Sequence, residues 1–487
     1  MTRTSRLPIM VVLAVASAWR PATSSAADAA LERASAAMGA TGLKSLRYTG
    51  DGIGYTFGQA YKPGLPWPKF TVRSFVRTVN YDTGSMKDEV VFARAEGLGG
   101  GGYPHRAEQR NEQYVSGAYA WNQAGTTPIP GPRFTADRVH QLWITPQGVI
   151  KAAIRNNAKV RQDGRNGQTY SVASFTEPGQ YKATVTINAA GLVDKVDSTF
   201  PDPVLGDTSV VTTYADYRDF SGIKFPGRIM QSQGGFPILD LSVRSVQPNA
   251  PADIQLPDAV KNATERVTVD KVAEGVWFIG GGSHNSVAIE MKDYMIVVEA
   301  PLNDGRSVPM LEQAKKVVPG KPIRYVINSH THFDHSGGLR AAVAEGATII
   351  TQEKNKPYFE RAFANANTIA PDQLAKSGKK ARFKTVDDKL VLSDGTRTVE
   401  LHRAVDSHHT DTFLMVFLPK EKLLIEADLF TPGPPNAPPP AQINPHHANL
   451  VENLQRLNIP VERILPLHGR VVPASDLYAA VGQSPPK

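Results

Sequence analysis

The sequence contains no cysteine. Without thiol groups the chain can form no disulfide bond and can use no thiolate as a nucleophile or a metal ligand. An exported protein of this composition must therefore be stabilised by its hydrophobic cores and by any metal that it binds.

Long apolar runs and blocks of one charge are also missing. The longest apolar stretch, residues 7–19, is shorter than the roughly 20 residues that a membrane-spanning helix needs. The net charge is only +8 over 487 residues, and Lys and Arg form no cluster or regular stripe. We therefore expect neither a membrane span nor a nucleic-acid partner.

The N-terminus has the pattern of an export signal. Arg3 and Arg6 precede the apolar stretch, and Ser24-Ser25-Ala26 offers small residues for cleavage. We predict a signal peptide over residues 1–26 and a periplasmic or secreted mature protein. An uncleaved membrane anchor is the alternative.

Residues 27–247 show short segments of alternating polar and apolar residues, such as 71–77 and 181–187, separated by Gly, Pro, Asn and Asp. Such alternation predicts antiparallel strands. We expect a mainly antiparallel β domain that opens with a helix from Ala27 to about Met38. Three prolines, at positions 248, 251 and 257, then predict a linker over residues 248–265.

After the linker, apolar strand patterns alternate with helical patterns. Strands are predicted at residues 276–279, 287–290 and 294–298, and helices at residues 308–317 and 339–345. A strand over residues 323–328 leads directly into a cluster of metal-ligand types. This alternation predicts a layered α/β domain over residues 266–487.

The cluster reads His330-Thr331-His332-Phe333-Asp334-His335. Residues two apart in a strand or taut loop point the same way, so His330 and His332 can share one ion. Asp334 and His335 then turn toward a second position. Neutral imidazole and carboxylate are the ligands expected for zinc or a similar ion, so the sequence predicts a metal site.

This cluster, after an apolar strand and before Ser336-Gly337-Gly338, resembles the signature of the metallo-β-lactamase superfamily. The resemblance covers about residues 267–481 and includes His409-Thr410-Asp411, Asp428 after a strand and His468-Gly469. It implies an αββα sandwich with two Zn²⁺ ions per chain, iron and manganese being alternative metals. The ligands that it implies are His330, His332 and His409 for the first ion, Asp334, His335 and His468 for the second, and Asp428 as a bridge.

Two positions refine the resemblance. Thiolate-using β-lactamases have Cys at the position of Asp428, so the ligand set is more similar to the glyoxalase II and lactonase branch and disfavours a dedicated penicillinase. Glu299-Ala300 stands where the family often has Asp-Thr or Asp-Ser, and the longer side chain could shift the loop around the ligands.

The resemblance implies a binuclear hydrolase acting on a small molecule. The two ions would lower the pKa of a shared water, and the hydroxide would attack the carbonyl carbon of a lactone, ester, thioester or amide. Asp334 would bind metal and orient the nucleophile or accept a proton. His284, in a loop expected to face the site, is a candidate substrate contact. Nothing in the sequence predicts an oligomeric state.

Several alternatives remain. One is a mononuclear iron enzyme like the persulfide dioxygenases of the same superfamily. Another is a periplasmic ligand-binding protein with a structural metal, whose N-terminal sheet holds an apolar ligand. Among the histidines, His408 could replace His409 as a ligand. His446 and His447 could be an exposed pair, a helix start or part of the pocket lining.

Overall fold

The computed structural model describes residues 26–94, 99–101, 108–165, 167–435 and 442–486. The predicted signal peptide, apart from Ala26, lies outside these residues. Within them, no helix combines the length and apolar character needed to cross a membrane. The described chain forms an N-terminal region built on one large sheet and a C-terminal region built on two.

The N-terminal region is a 13-stranded sheet in which every neighbouring pair is antiparallel. Its strand order is β6-β5-β4-β3-β2-β1-β15-β14-β11-β10-β9-β8-β7, and β12 and β13 form a separate hairpin. The elements are α1 (Ala26–Ala37), β1 (Ser45–Tyr55), β2 (Lys69–Asn80), β3 (Ser85–Ala93), β4 (Gln109–Ser116), β5 (Tyr119–Ala124), β6 (Thr127–Pro130), α2 (Thr135–Trp143), α3 (Pro146–Arg155), β7 (Lys159–Arg165), β8 (Gln168–Glu177), β9 (Tyr181–Ile187), β10 (Val193–Asp202), β11 (Gly206–Ala215), β12 (Arg218–Phe220), β13 (Ile223–Phe225), β14 (Arg228–Gln233) and β15 (Phe236–Pro248).

Three helices cover one face of this sheet. Leu31 and Met38 at α1, and Leu142 and Ile150 in α2 and α3, belong to the same buried cluster as the inward side chains of the strands. The mainly antiparallel β architecture and the opening helix are confirmed. The sequence pattern did not predict α2 and α3, because the Pro and Gly residues in and around them are more typical of turns.

The C-terminal region contains a seven-stranded sheet, β16 to β22 in chain order, and a six-stranded sheet, β23 to β28 in chain order. The short helix α4 (Asp258–Lys261) precedes this region and contacts β5 and β6 of the N-terminal sheet. The elements of the C-terminal region are β16 (Thr268–Ala273), β17 (Val276–Gly280), β18 (Ser286–Glu290), β19 (Met295–Val298), α5 (Asp304–Val317), β20 (Ile323–Ile327), α6 (Phe333–Ser336), α7 (Leu339–Glu345), β21 (Thr348–Gln352), α8 (Lys356–Ala364), α9 (Gln373–Ser377), β22 (Phe383–Val386), β23 (Lys389–Ser393), β24 (Thr398–Arg403), β25 (Leu414–Leu418), β26 (Leu423–Glu426), α10 (Pro445–Leu457), β27 (Arg463–Pro466), β28 (Val472–Pro473) and α11 (Ala474–Ala480).

Alternation along β18 shows how the layers are filled. Val287 and Ile289 pack in the cluster that contains residues of both sheets, whereas Ala288 packs with α5 and α7 on the opposite face. Because successive strand residues point to opposite faces, an uninterrupted apolar strand indicates a sheet covered on both sides. The predicted αββα sandwich is therefore confirmed, while the exact domain and linker boundaries stay predictions.

In the part of the chain that the structure describes, the two regions touch at several places, among them the following two contacts. Residues 57–61, between β1 and β2, lie against the loops that carry Asp334 and His409. At the second contact, the Asp207 carboxylate accepts hydrogen bonds from the Thr368 hydroxyl at 2.6 Å and the Thr368 amide at 3.0 Å. The Asp207 amide donates to the Ala366 carbonyl at 2.7 Å.

Asp202 is a buried carboxyl group of the N-terminal region, and its titration should make the stability of the protein depend on pH. It is 8% exposed, and its Oδ1 accepts hydrogen bonds from the Val204 and Leu205 amides. Burial raises the pKa of this carboxyl to about 6, although the two hydrogen bonds oppose the shift. The folded state therefore holds a proton that the unfolded state loses near pH 4, so stability should fall as the pH rises from 4 to 6.

Asp202→Asn keeps the acceptor oxygen and removes the charge. Above pH 6 we expect the free energy of unfolding to rise by about 3 kcal/mol at most, and the difference from the wild type to shrink as the pH is lowered toward 4. Urea denaturation at pH 4, 6 and 8 measures this. If the free energies of unfolding of the variant and the wild type differ by the same amount at all three pH values, the raised pKa of Asp202 is contradicted.

Candidate metal centre

The ends of several strands place the candidate ligands at one edge of the sandwich. His330 follows β20, Asp428 follows β26 and His468 follows β27, while His409 precedes β25. Asn328 donates from Nδ2 to the His330 carbonyl at 2.6 Å and so fixes the turn after β20. Because β19 and β20 run parallel, as do β26 and β27, the chain leaves each pair at the same edge.

The structure brings the seven predicted ligands together in groups whose nitrogen and oxygen atoms lie within 4.8 Å of one another. One group is His330, His332 and His409; another is His330, His335 and Asp428; a third is Asp334, His335, His468 and His284. Asp428 Oδ2 lies 3.2 Å from His409 Nε2 and 2.9 Å from His335 Nε2, so this oxygen lies between the two sides of the cluster.

Hydrogen bonds decide which ring nitrogen of each histidine is available. His332 Nε2 lies 3.1 Å from the Ala60 carbonyl, and His409 Nδ1 lies 2.9 Å from the Gly101 carbonyl. His468 Nδ1 lies 3.1 Å from the Ser283 carbonyl. A carbonyl oxygen only accepts, so each of these nitrogens carries the proton and the opposite one keeps a lone pair.

The lone pairs meet inside the cluster. His409 Nε2 lies 3.2 Å from His330 Nε2, and His468 Nε2 lies 2.9 Å from His335 Nε2. His332 Nδ1 is buried and has no hydrogen-bond partner among the described residues. Nitrogens bound to one tetrahedral zinc ion at about 2.0–2.1 Å lie about 3.3 Å apart, so the residues fit a metal. Their assignment as ligands stays a prediction.

Glu299 contacts the loop that carries the candidate ligands His330 and His335. Ser329 Oγ donates to Glu299 Oε2 at 2.6 Å and can then accept from His330 Nδ1 at 2.9 Å. The same Oε2 lies 3.4 Å from His335 Nδ1. The residue that departs from the family pattern therefore supports two candidate ligands, as carboxylates beside metal-binding histidines commonly do.

The charges of the centre suit a cation. Burial and the neighbouring imidazoles hold the pKa of His330 well below its usual value, and burial lowers the pKa of His332 to about 3, so both rings stay neutral. Burial alone would raise the pKa of Asp428, but His335, His409 and His468 hold it well below its usual range. Burial would lower the pKa of His335, but Asp428 and Asp334 hold it well above its usual value, so a metal ion binding there would displace a proton from this ring.

Residues 279–468 match the family model described as Metallo-beta-lactamase superfamily. No curated protein matches the chain significantly.

Solved metallo-beta-lactamase structures align with 45% of the chain. The one from Pontibacter korlensis is 17% identical and covered over 98% of its length, and the one from Hirschia baltica is 19% identical and covered over 99%, both with a TM-score of 0.34. Rubredoxin oxygen:oxidoreductase from Desulfovibrio gigas is 19% identical over 44% of this chain and 60% of its own, with a TM-score of 0.35.

His284 lies within the residues that match the family model and is not on an open surface. It is 4% exposed, its Nε2 lies 3.1 Å from Asp334 Oδ2, and its ring centre is 4.1 Å from that of His468. Burial lowers the pKa of His284 to about 4, with Asp334 opposing the shift. This position allows His284 to hold Asp334 or to serve as a further ligand, and its contact with substrate stays a prediction.

The structure also shows where the other candidate histidines lie. His409, and not His408, joins the cluster. His446 lies in the first turn of α10, buried, with its ring centre 5.4 Å from that of His409, so it packs beside the centre. Sequence patterns gave no sign of Gln59, Ala60 or Gly101, because these residues are distant in sequence and contact the cluster through tertiary packing alone.

His409→Ala and His408→Ala form a matched pair of neighbours that tests the ligand set. We expect the wild type to retain two Zn²⁺ per chain after zinc loading and gel filtration, His408→Ala to retain two, and His409→Ala to retain one at most. Inductively coupled plasma mass spectrometry measures the content. Loss of zinc in His408→Ala with retention in His409→Ala would show that the wrong histidine is assigned.

Proposed function

We propose that the protein is an exported hydrolase that uses two divalent metal ions, preferably zinc, to cleave a small carbonyl compound. The observation that carries the proposal is the convergence of seven candidate ligands whose free lone pairs meet at the edge of a cleft. Two ions bound there would lower the pKa of a water and polarise a substrate carbonyl. The sequence pattern of residues 1–26 supports export.

The cleft has a volume of about 1340 Å³ and is lined by both regions of the chain. The ligands Asp334, His409, Asp428 and His468 lie on its wall. Typical small-molecule sites occupy about 300–1,000 Å³, so the space suits a small substrate with room for solvent. Several aromatic side chains offer apolar contact, namely Phe57, Phe70, Phe134, Phe200 and Phe333.

Asp334 is the residue to which we assign the orientation of the nucleophile or the acceptance of its proton. Its Oδ1 accepts from Gln59 Nε2 at 2.7 Å, and its Oδ2 lies 3.1 Å from His284 Nε2. Burial would raise the pKa of Asp334, yet His335 and the hydrogen bond from His284 hold it well below its usual range. The carboxylate is thus ionised and held in one orientation.

A panel of lactones, thioesters, esters and β-lactams tests this function. With the mature, zinc-loaded protein we expect turnover of at least one class, reduced by more than about 100-fold in His330→Ala and preserved in His408→Ala. The metal content of each protein used in the assay is measured as well. No turnover on any class, or activity retained in His330→Ala, would contradict hydrolysis, and one iron per chain with oxygen consumption would favour the oxidising alternative.

Arg133 supports a substrate that carries an anionic group. The residue lines the cleft, its guanidinium lies 4.3 Å from the Phe134 ring centre, and no acidic side chain among the described residues pairs with it. A guanidinium recognises a carboxylate through two parallel hydrogen bonds. The metal ions would also attract an anion toward this wall of the cleft.

Paired esters separate this charge effect from hydrolysis itself. We expect the wild type to prefer 4-nitrophenyl hemisuccinate over neutral 4-nitrophenyl butyrate, and Arg133→Ala to lose about tenfold or more in kcat/KM on the anionic ester alone, mainly through KM. Lys376→Ala, which changes another cation of the cleft, is the control. An equal loss on both esters, or the same loss in the control, would exclude specific recognition by Arg133.

A further inference from the structure

The N-terminal region reaches into the metal centre through residues 57–61, which we call the Gln59 segment. The Gly58 carbonyl accepts from the Phe333 amide at 3.1 Å, and the Tyr61 carbonyl accepts from Thr410 Oγ1 at 3.0 Å and the Asp411 amide at 3.2 Å. The segment is therefore bonded to both loops that carry candidate ligands.

Close packing anchors the segment between these bonds. Gly58 has φ of +78°, and a Cβ atom there would lie 2.6 Å from Phe333 Cγ, so only glycine fits without movement. The Phe333 ring in turn makes edge contacts with Phe57 and Trp67, at centroid distances of 5.2 and 5.6 Å. Phe333 immediately precedes Asp334, so this aromatic cluster fixes the backbone of a candidate ligand.

Three hydrogen bonds then extend from the N-terminal region to the candidate ligands themselves. Gln59 Nε2 donates to Asp334 Oδ1 at 2.7 Å. The Ala60 and Gly101 carbonyls accept from His332 and His409, as described above. Such outer partners fix the tautomer and direction of metal-binding side chains, and their loss typically weakens metal affinity by about 10–100-fold.

The contact of Gln59 differs from those of Ala60 and Gly101 because it reaches the second group of candidate ligands, which contains Asp334, His335 and His468. With Oδ1 bound to Gln59, the other carboxylate oxygen of Asp334 lies 3.6 Å from His335 Nε2 and 3.9 Å from His468 Nε2. His330, His332 and His409 form the first group, which Gln59 does not contact. A loss of this amide should therefore affect the two ions unequally.

We propose that the metal centre is completed by the N-terminal region, with Gln59 as the positioning residue that orients Asp334 toward the second ion. The inference rests on the proposed function, because it requires two bound ions. It assigns to the N-terminal sheet a direct part in metal binding, beyond its contribution to the wall of the cleft.

The test is a titration of the metal-free, full-length protein with Zn²⁺ in competition with a fluorescent chelator. Gln59→Met keeps the length of the side chain but cannot donate, and Gln59→Ala removes the side chain. In both variants we expect the second Zn²⁺ to bind about 10–100-fold more weakly and the first to bind within about twofold of the wild type. The matched control is Gln113→Ala, a cleft-lining glutamine away from the ligands.

Two further readouts separate positioning from a general structural effect. The visible spectrum of the protein with two Co²⁺ per chain should lose the contribution of the second ion in Gln59→Met, while the melting temperature of the metal-free protein should equal that of the wild type. Two ions held equally by wild type and variant, or both weakened to the same extent, would overturn the role of Gln59 alone. A wild type that binds a single ion would overturn this inference and the two-ion function together.

Discussion

The arrangement of the centre depends on one requirement, that every buried polar atom must have a partner. Burying unpaired imidazoles and carboxylates costs several kcal/mol, and a fold tolerates such a cluster only when hydrogen bonds or a cation compensate it. Here the outer ring nitrogens of His332 and His409 have backbone acceptors, whereas His332 Nδ1 inside the cluster has no hydrogen-bond partner among the described residues. A divalent cation bound inside the cluster would give this inner nitrogen a partner.

This requirement explains which parts of the fold meet. Strand ends supply the ligands, since a side chain beyond the last ladder hydrogen bond can turn out of the sheet. The loops between strands supply the outer acceptors, among them Ser329 beside Glu299 and the Ser283 carbonyl beside His468. Two further acceptors come from the N-terminal region, so its sheet has to lie against the sandwich for the histidines to be satisfied.

Local patterns in the sequence were sufficient to predict the sandwich and to select the residues that the structure brings together as candidate ligands. Uninterrupted apolar strands such as β19, predicted at residues 294–298, were placed to within one residue, because burial on both faces requires a continuous apolar segment. Helix α5 began earlier than predicted, at Asp304 after the Asn303 cap, because Pro309 and polar residues obscure its first turns. The contact of Gln59 with Asp334 spans 275 positions, and no periodicity encodes it.

The hydrogen bond between Gln59 and Asp334 joins the two regions of the chain, and this has a thermodynamic consequence. If docking of the N-terminal region orients Asp334 and so tightens binding of the second ion, linkage requires the bound ion to stabilise the docked arrangement by the same factor. Metal binding and the seating of the Gln59 segment then form a single equilibrium. The cleft has walls from both regions, so under the proposed function the docked state that completes the set of candidate ligands would also complete the substrate-binding site.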